Sequence, residues 1–249
     1  MRKDVYLDEG AGENETFLDW ADKQTKEGLH GPINHGKEFN VRMCKLEGAM
    51  EEEKKGEEGT KYVQDLVPAA LLAKFGIKKE IVTEVLRNHL SEEFDIFHLE
   101  TLTLGNELPI LTMQMFFESD LFEPNKIDPK TFRRYMEAVQ GRYRPITYHN
   151  KTHGADVAHF CYQVAVRYGL SDVIDVTKFD LACLVIGGAV HDLEHFGFKS
   201  NFLVTTRHPW ALRFNDQSVL ENHHVATAFE LMRDPTLNIF EHQTWEQFQ

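Results

Sequence analysis

The longest nearly unbroken apolar stretch of the chain, Leu181 to Val190, leads directly into His191 and Asp192. As a helix, the segment Phe179 to Val190 has almost no polar face, so we expect it to run through the core. The stretch is too short to cross a bilayer, which takes about 20 apolar residues. A buried carboxylate without a partner costs on the order of several kcal/mol, and a divalent cation removes that penalty. The doublet therefore predicts a metal site at the end of a buried helix, with a structural hydrogen bond as the alternative.

Helical periodicity extends over most of the chain after residue 60. Apolar residues recur three or four apart. Leu108 to Phe117 is apolar almost all round, which predicts a deeply buried helix, with a strand as the alternative that periodicity alone leaves open. Asp128-Pro129 predicts a helix start. Thr147 to Tyr168 predicts a single helix that ends at Gly169. We find no Val/Thr-rich alternation bounded by turn signals, so we predict an all-α multi-helix bundle over residues 61–249.

Composition limits the classes of function. Residues 1–60 contain 15 acidic and 9 basic residues, a net charge of −6. They predict an acidic, partly disordered leader, with a regulatory segment as the alternative. The net charge of −13 for the whole chain argues against a nucleic-acid partner. Three scattered cysteines argue against a disulfide framework. The N-terminus lacks the apolar run of a signal peptide, so we expect a cytoplasmic protein without a membrane span.

A second histidine-rich signature precedes the buried helix. His149 and His153 are four residues apart, so they share one face of the predicted helix. They can form a metal pair, or one can bind metal while the other donates a proton. Asp156, one turn further on, can orient an imidazole or be a plain structural carboxylate.

A third signature, Ser218 to His224, follows the buried helix. Its S-x-x-E pattern predicts a capping box between Ser218 and Glu221. On that interpretation Asn222, His223 and His224 are polar residues of the first helical turn.

These three signatures, in this order, resemble the catalytic domain of class I 3',5'-cyclic-nucleotide phosphodiesterases, a branch of the HD superfamily. The resemblance extends upstream through Phe94 to Phe97 and covers roughly residues 80 to 245. Thr205 to Arg207 and Phe214 to Ser218 look most like the calmodulin-dependent subgroup. The resemblance implies metal-dependent hydrolysis of cAMP, cGMP or both to the 5'-monophosphate, in signal transduction.

The resemblance also implies a metal centre with two divalent ions. His153, His191 and Asp192 would hold a tightly bound ion, expected to be zinc. Asp192 would also bridge to a second ion, expected to be magnesium or manganese and kept mostly by waters. Two such ions can supply a bridging hydroxide near neutral pH.

The catalytic and substrate-binding roles follow from the same resemblance. His149 would act as the general acid that protonates the departing 3'-oxygen, and Glu221 would hold its imidazole in orientation. His195 would lie near the bridging hydroxide. Tyr148 and Asn222 would border the substrate pocket, together with His149.

The chain departs from the family pattern at several positions. Phe196 stands where the family usually has Pro or Thr, and Ser200 stands where it has Asn. Gly154 replaces an Ala, a change that we expect to be harmless on a helix face.

The C-terminal end is the largest departure. The family's remaining metal-binding Asp and its purine-binding residues lie on later helices, and none of them can be placed before Gln249. We therefore expect a C-terminally truncated catalytic domain, and either a homodimer or association with a longer phosphodiesterase. Two alternatives remain: a non-catalytic truncated paralogue or gene fragment, and an HD-type phosphohydrolase that acts on another nucleotide.

Overall fold

The computed structural model describes residue 67 and residues 69–244, and every regular element among them is a helix. The all-α prediction is therefore confirmed for this part of the chain. The predicted acidic leader lies outside the described residues. No helix within the described ranges is long and apolar enough to cross a membrane. The helices are α1 (Ala69–Lys74), α2 (Lys79–Arg87), α3 (Ile96–Leu102), α4 (Glu107–Glu118), α5 (Pro129–Arg142), α6 (Lys151–Val166), α7 (Leu170–Val173), α8 (Lys178–Val190), α9 (Ser200–Thr205), α10 (Pro209–Arg213) and α11 (Val219–Leu231).

Helices α4, α6 and α8 pack against one another at the centre of the described fold, and α5 covers α4. Helix α4 is buried from Glu107 to Phe116, as its apolar sequence requires. Helix α8 is likewise buried over most of its length, and it begins with a capping box between Thr177 and Asp180. The two buried helices predicted from the sequence are thus confirmed.

The contact between α6 and α8 is unusually close at Gly188. A Cβ atom placed on Gly188 would lie 2.6 Å from the Cα and 2.8 Å from the nitrogen of Ala158. These are backbone atoms that no rotamer change can move. The absence of a side chain at Gly188 therefore lets α6 and α8 approach as closely as they do.

Helix α6 begins later than its periodicity predicts. The side-chain carbonyl of Asn150 accepts hydrogen bonds from the backbone N–H groups of Thr152, at 3.0 Å, and of His153, at 3.1 Å. Asn150 is thus the N-cap. The predicted start at Thr147 was wrong, and His149 lies in the turn before the helix. Gly169 has φ of +75° just beyond the helix, as predicted for its C-terminal end.

Helix α11 begins without the predicted capping box. Ser218 has φ of +39° and its side chain makes no capping hydrogen bond. An N-cap side chain reaches the first N–H groups from an extended backbone, which Ser218 does not have. The side chain of Asn222 instead donates to the carbonyl oxygens of Gln217, at 2.9 Å, and Ser218, at 3.0 Å. The capping-box prediction was therefore wrong.

Candidate metal centre and active site

The first turn of α6 and the end of α8 bring His153, His191 and Asp192 together. Asp192 Oδ2 lies 3.1 Å from His191 Nε2 and 3.4 Å from His153 Nε2. One potential ligand atom from each of the three residues lies within 4.8 Å of the other two. The structure therefore groups the three residues that the sequence assigned to a metal site.

A hydrogen bond on Nδ1 fixes the orientation of the His191 ring. Its Nδ1–H donates to the carbonyl oxygen of Gly188 at 2.8 Å, which directs Nε2 at Asp192. Burial alone would lower the pKa of His191, but its hydrogen bonds to Asp192 and Gly188 raise it above the usual value. The imidazole is thus fixed in orientation and directed at the carboxylate.

Asp192 is held in its ionised form. Burial opposes its ionisation, but hydrogen bonds from His153 and His191 outweigh that effect and hold the pKa of the carboxyl well below its usual range. Two imidazole nitrogens and one carboxylate form a donor set that suits a borderline divalent ion such as zinc. The residues present therefore fit a divalent cation.

His149 and His195 lie beside this group. Their rings are stacked with centroids 3.9 Å apart, and His149 Nε2 is 3.9 Å from Asp192 Oδ2. His195 Nδ1 accepts a hydrogen bond from the Gly197 backbone N–H at 3.0 Å. Burial, and then the charge of His149, lower the pKa of His195 to about 4. His195 is therefore neutral at pH 7, with its Nε2–H available as a donor.

His224 is a residue of the site to which the sequence analysis gave no role. It is only 2 % exposed, and its Nδ1–H donates to the carbonyl oxygen of Leu193 at 2.6 Å. Its Nε2 lies 3.7 Å from Asp192 Oδ1. The other oxygen of that carboxylate, Oδ2, faces His153 and His191. The two adjacent histidines of the third signature are the sequence feature from which a role in the site could have been inferred.

His223, the neighbour of His224, is also buried. Its Nε2 lies 2.9 Å from Glu194 Oε2, and its ring stacks on Trp210 with centroids 3.4 Å apart. Burial lowers the pKa of His223, against the opposing effect of Glu194. The interpretation of His223 and His224 as plain polar residues of a first turn was therefore wrong.

The remaining predicted residues are exposed to solvent. Tyr148 is exposed, and its ring centroid is 4.6 Å from that of His153. Asp156 and Asn222 are exposed, and the Asn222 amide is bonded to backbone carbonyls. Glu221 is exposed, and no hydrogen bond joins it to His149 within the described part of the chain. The orienting role of Glu221 remains a prediction.

Two departures from the family pattern have structural consequences. A Cβ on Gly154 would lie 2.6 Å from the hydroxyl of Tyr143, which donates to the carbonyl oxygen of Ala189 at 3.0 Å. The expectation that Gly154 and Ala are interchangeable was therefore wrong, because Tyr143 occupies the space. The ring of Phe196 packs edge-on against Trp210, with centroids 5.1 Å apart.

Comparison with known proteins gives three informative relatives. A protein of Drosophila melanogaster named high affinity cAMP-specific and IBMX-insensitive 3',5'-cyclic phosphodiesterase 8 is 35 % identical over 170 residues, which cover 68 % of this chain and 19 % of the relative. A Caenorhabditis elegans protein named probable 3',5'-cyclic-AMP phosphodiesterase pde-4 is 33 % identical over 140 residues, 56 % of this chain and 20 % of the relative. A Rattus norvegicus protein named 3',5'-cyclic-AMP phosphodiesterase 4C is 29 % identical over 185 residues, 73 % of this chain and 34 % of the relative.

A family profile gives a consistent result. Residues 148–249 match the profile described as 3'5'-cyclic nucleotide phosphodiesterase. That segment contains all three histidine-rich signatures. The chain spans between about a fifth and a third of the length of these relatives. Their names are those of cAMP phosphodiesterases, so the predicted likeness to the calmodulin-dependent subgroup is not supported.

Proposed function

We propose that this chain carries part of a class I cyclic-nucleotide phosphodiesterase site, which hydrolyses a 3',5'-cyclic nucleotide to its 5'-monophosphate. The family profile over residues 148–249 and the names of the relatives support this class. The observation that carries the proposal is the group of His153, His191 and Asp192 within that segment. The relatives' names make cAMP the first substrate to test and cGMP the second.

Two divalent ions fit this proposal. His153, His191 and Asp192 would hold a tightly bound ion, zinc. Asp192 would also help to hold a second ion, magnesium or manganese. When bound, such ions polarise the phosphate and supply a hydroxide nucleophile near neutral pH.

The hydrolysis step assigns roles to His149 and His195. An oxygen derived from water attacks phosphorus, the bond from phosphorus to the 3'-oxygen breaks, and His149 transfers a proton to the departing oxygen. Such general-acid catalysis contributes roughly 10²–10⁴-fold. His149 is about one-third exposed and stacks on His195, so it is accessible to substrate and held in place. His195, stacked on His149, would lie near the attacking oxygen.

Three exposed residues complete the proposed site. Tyr148 and Asn222 border the substrate, and Glu221 orients His149 once substrate is bound. Tyr148 is 64 % exposed beside the His153 ring, which suits contact with a ligand.

The test compares three single variants of the 249-residue chain for 5'-nucleotide release from cAMP, with Mg²⁺ and trace Zn²⁺. We expect His149→Ala to lose turnover by at least about 10²-fold but to retain zinc. Asp192→Ala should lose both. His98→Ala, an exposed histidine on α3, is the matched control and should retain both. Turnover that survives in the His149 or Asp192 variant contradicts the assigned mechanism.

A non-catalytic role is the second candidate. An apolar groove of about 810 Å³ runs between α6, α7 and α8 and ends at His191. Exposed apolar side chains at its edge, Ile174 and Leu184, favour association with a second copy or with a longer phosphodiesterase. A folded, zinc-containing chain that releases no nucleotide alone would favour this candidate. A second experiment mixes this chain with a longer phosphodiesterase whose own site has been inactivated. If 5'-nucleotide is released only from the mixture, association completes the site.

A further inference from the structure

Glu107, the first residue of α4, is a carboxylate without any solvent exposure. Its Oε1 accepts hydrogen bonds from Lys151 Nζ at 2.5 Å and from Thr152 Oγ1 at 2.8 Å. Its Oε2 has no hydrogen-bond partner among the described residues. The N-terminal end of the α4 dipole also favours a negative charge at this position. Glu107 is thus a buried charge whose side-chain partners both belong to α6.

The two partners of Glu107 are the first two residues of α6, and His153 comes directly after them. Thr152 is only 5 % exposed, and Lys151 lies against the loop at Gly105, where a Cβ would be 3.4 Å from its Nζ. A second carboxylate, Glu100, lies 3.5 Å from Lys151 Nζ. The start of α6 is therefore bonded to the start of α4 through Lys151 and Thr152, the two residues that precede His153.

Stability alone does not explain this arrangement. Glu107 is fully buried and Lys151 is 28 % exposed. The hydration that the buried charge loses offsets much of what the pair gains, so the pair adds little stability over a well-packed apolar contact. In some proteins a buried polar pair serves instead to fix a single geometry. Asn150 caps the first turn of α6, and Glu107 joins that turn to the start of α4.

We propose that Glu107 is a positioning residue that acts through Lys151 and Thr152. It holds the first turn of α6 so that His153 Nε2 meets Asp192 in a single geometry, and the centre then binds its ion tightly. This proposal rests on the proposed function, because it concerns the same metal centre.

The test uses Co²⁺ as the probe, with its affinity measured by chelator competition and its geometry by the visible absorption spectrum. Glu107→Gln keeps the volume and removes the charge, and we expect the affinity for Co²⁺ to fall by about 10–100-fold, as for other groups that support metal ligands. The Co²⁺ spectrum should change as well. The double variant Glu107→Leu, Lys151→Met removes both charges together, so it should fold normally and still show the weaker, altered site.

The matched control is the ion pair at the other end of the same helix. Arg167 Nη2 lies 3.0 Å from Glu92 Oε1 on the surface, and Glu92→Gln removes that pair. We expect this variant to bind Co²⁺ with the affinity and spectrum of the original chain.

The outcomes separate two failures. If Glu107→Gln and the double variant bind Co²⁺ with unchanged affinity and spectrum, the positioning role is wrong, even if either variant unfolds more easily in urea. If the unmodified chain itself binds no Co²⁺, the metal centre and with it the proposed function are wrong.

Discussion

The close approach of α6 and α8 makes Gly188→Ala the most informative stability test. The new Cβ would lie 2.6 Å from Ala158 Cα, so the two helices must move apart. Overpacking of this kind costs about 1–3 kcal/mol, while replacing Gly by Ala within a helix returns about 1 kcal/mol. We therefore expect Gly188→Ala to destabilise the fold by up to about 2 kcal/mol.

Gly187→Ala is the control for the helix-propensity effect. Gly187 is exposed on the same helix, and a Cβ there would meet nothing within 4 Å. It should stabilise the fold by about 1 kcal/mol, so the two variants should differ by about 1–3 kcal/mol. Urea unfolding followed by circular dichroism measures this difference as a shift of the midpoint. Equal stability of the two variants would refute the steric argument.

Two further substitutions test other contacts. Gly154→Ala should displace the Tyr143 hydroxyl and break its hydrogen bond to Ala189, which costs about 1–3 kcal/mol, while replacing Gly by Ala within a helix offsets about 1 kcal/mol. Urea unfolding checks this, and a midpoint raised as far as that of Gly187→Ala would contradict it. Burial, with the charge of His89, lowers the pKa of His159 from 6.5 to about 3. Between these two pH values His159 is protonated in the unfolded chain but neutral in the folded one, so the free energy of unfolding falls as the pH is lowered. The loss from His159 is about 2 kcal/mol at pH 5. His159→Gln should therefore lose less stability than the original chain between pH 7 and pH 5, and an equal loss would show that His159 is not the source.

Local determinants explain why part of the fold was predictable. Helix α8 was expected over Phe179 to Val190 and spans Lys178–Val190. Its apolar run and the capping box of Thr177 with Asp180 are both local in sequence. Helix α5 begins at the predicted Asp128-Pro129 start for the same reason, with the Asp128 carboxylate accepting from the Thr131 N–H at 2.7 Å.

Where the prediction of helix starts failed, one local signal overrode another. The i, i+4 spacing of His149 and His153 favoured a helix that included His149, but the Asn150 side chain caps the helix, which begins at Lys151. The S-x-x-E pattern at Ser218 was overridden by a left-handed backbone that follows Asn215 and Asp216, which have φ of +54° and +60°. Asn is a preferred N-cap, and Asn and Asp favour left-handed backbone, but residue type alone does not decide which of two competing local signals prevails.

The candidate site depends on contacts that are distant in sequence. The resemblance selected His153, His191 and Asp192, but their distances depend on how α6 packs on α8. The buried His224 is hydrogen-bonded to the carbonyl oxygen of Leu193, which lies 31 residues away. The partners of Glu107 lie 44 and 45 residues away, on another helix. Sequence patterns of short period contain no information about such pairs.

The separation of the ligands between two helices also decides when an ion can bind during folding. His191 and Asp192 follow α8, and His153 belongs to α6, so neither helix alone offers the full donor set. The site can form only after the two helices have packed. An ion would then bind the chain only once α6 and α8 have packed, and not the unfolded chain. Such an ion would slow unfolding but would not speed the folding of the bundle.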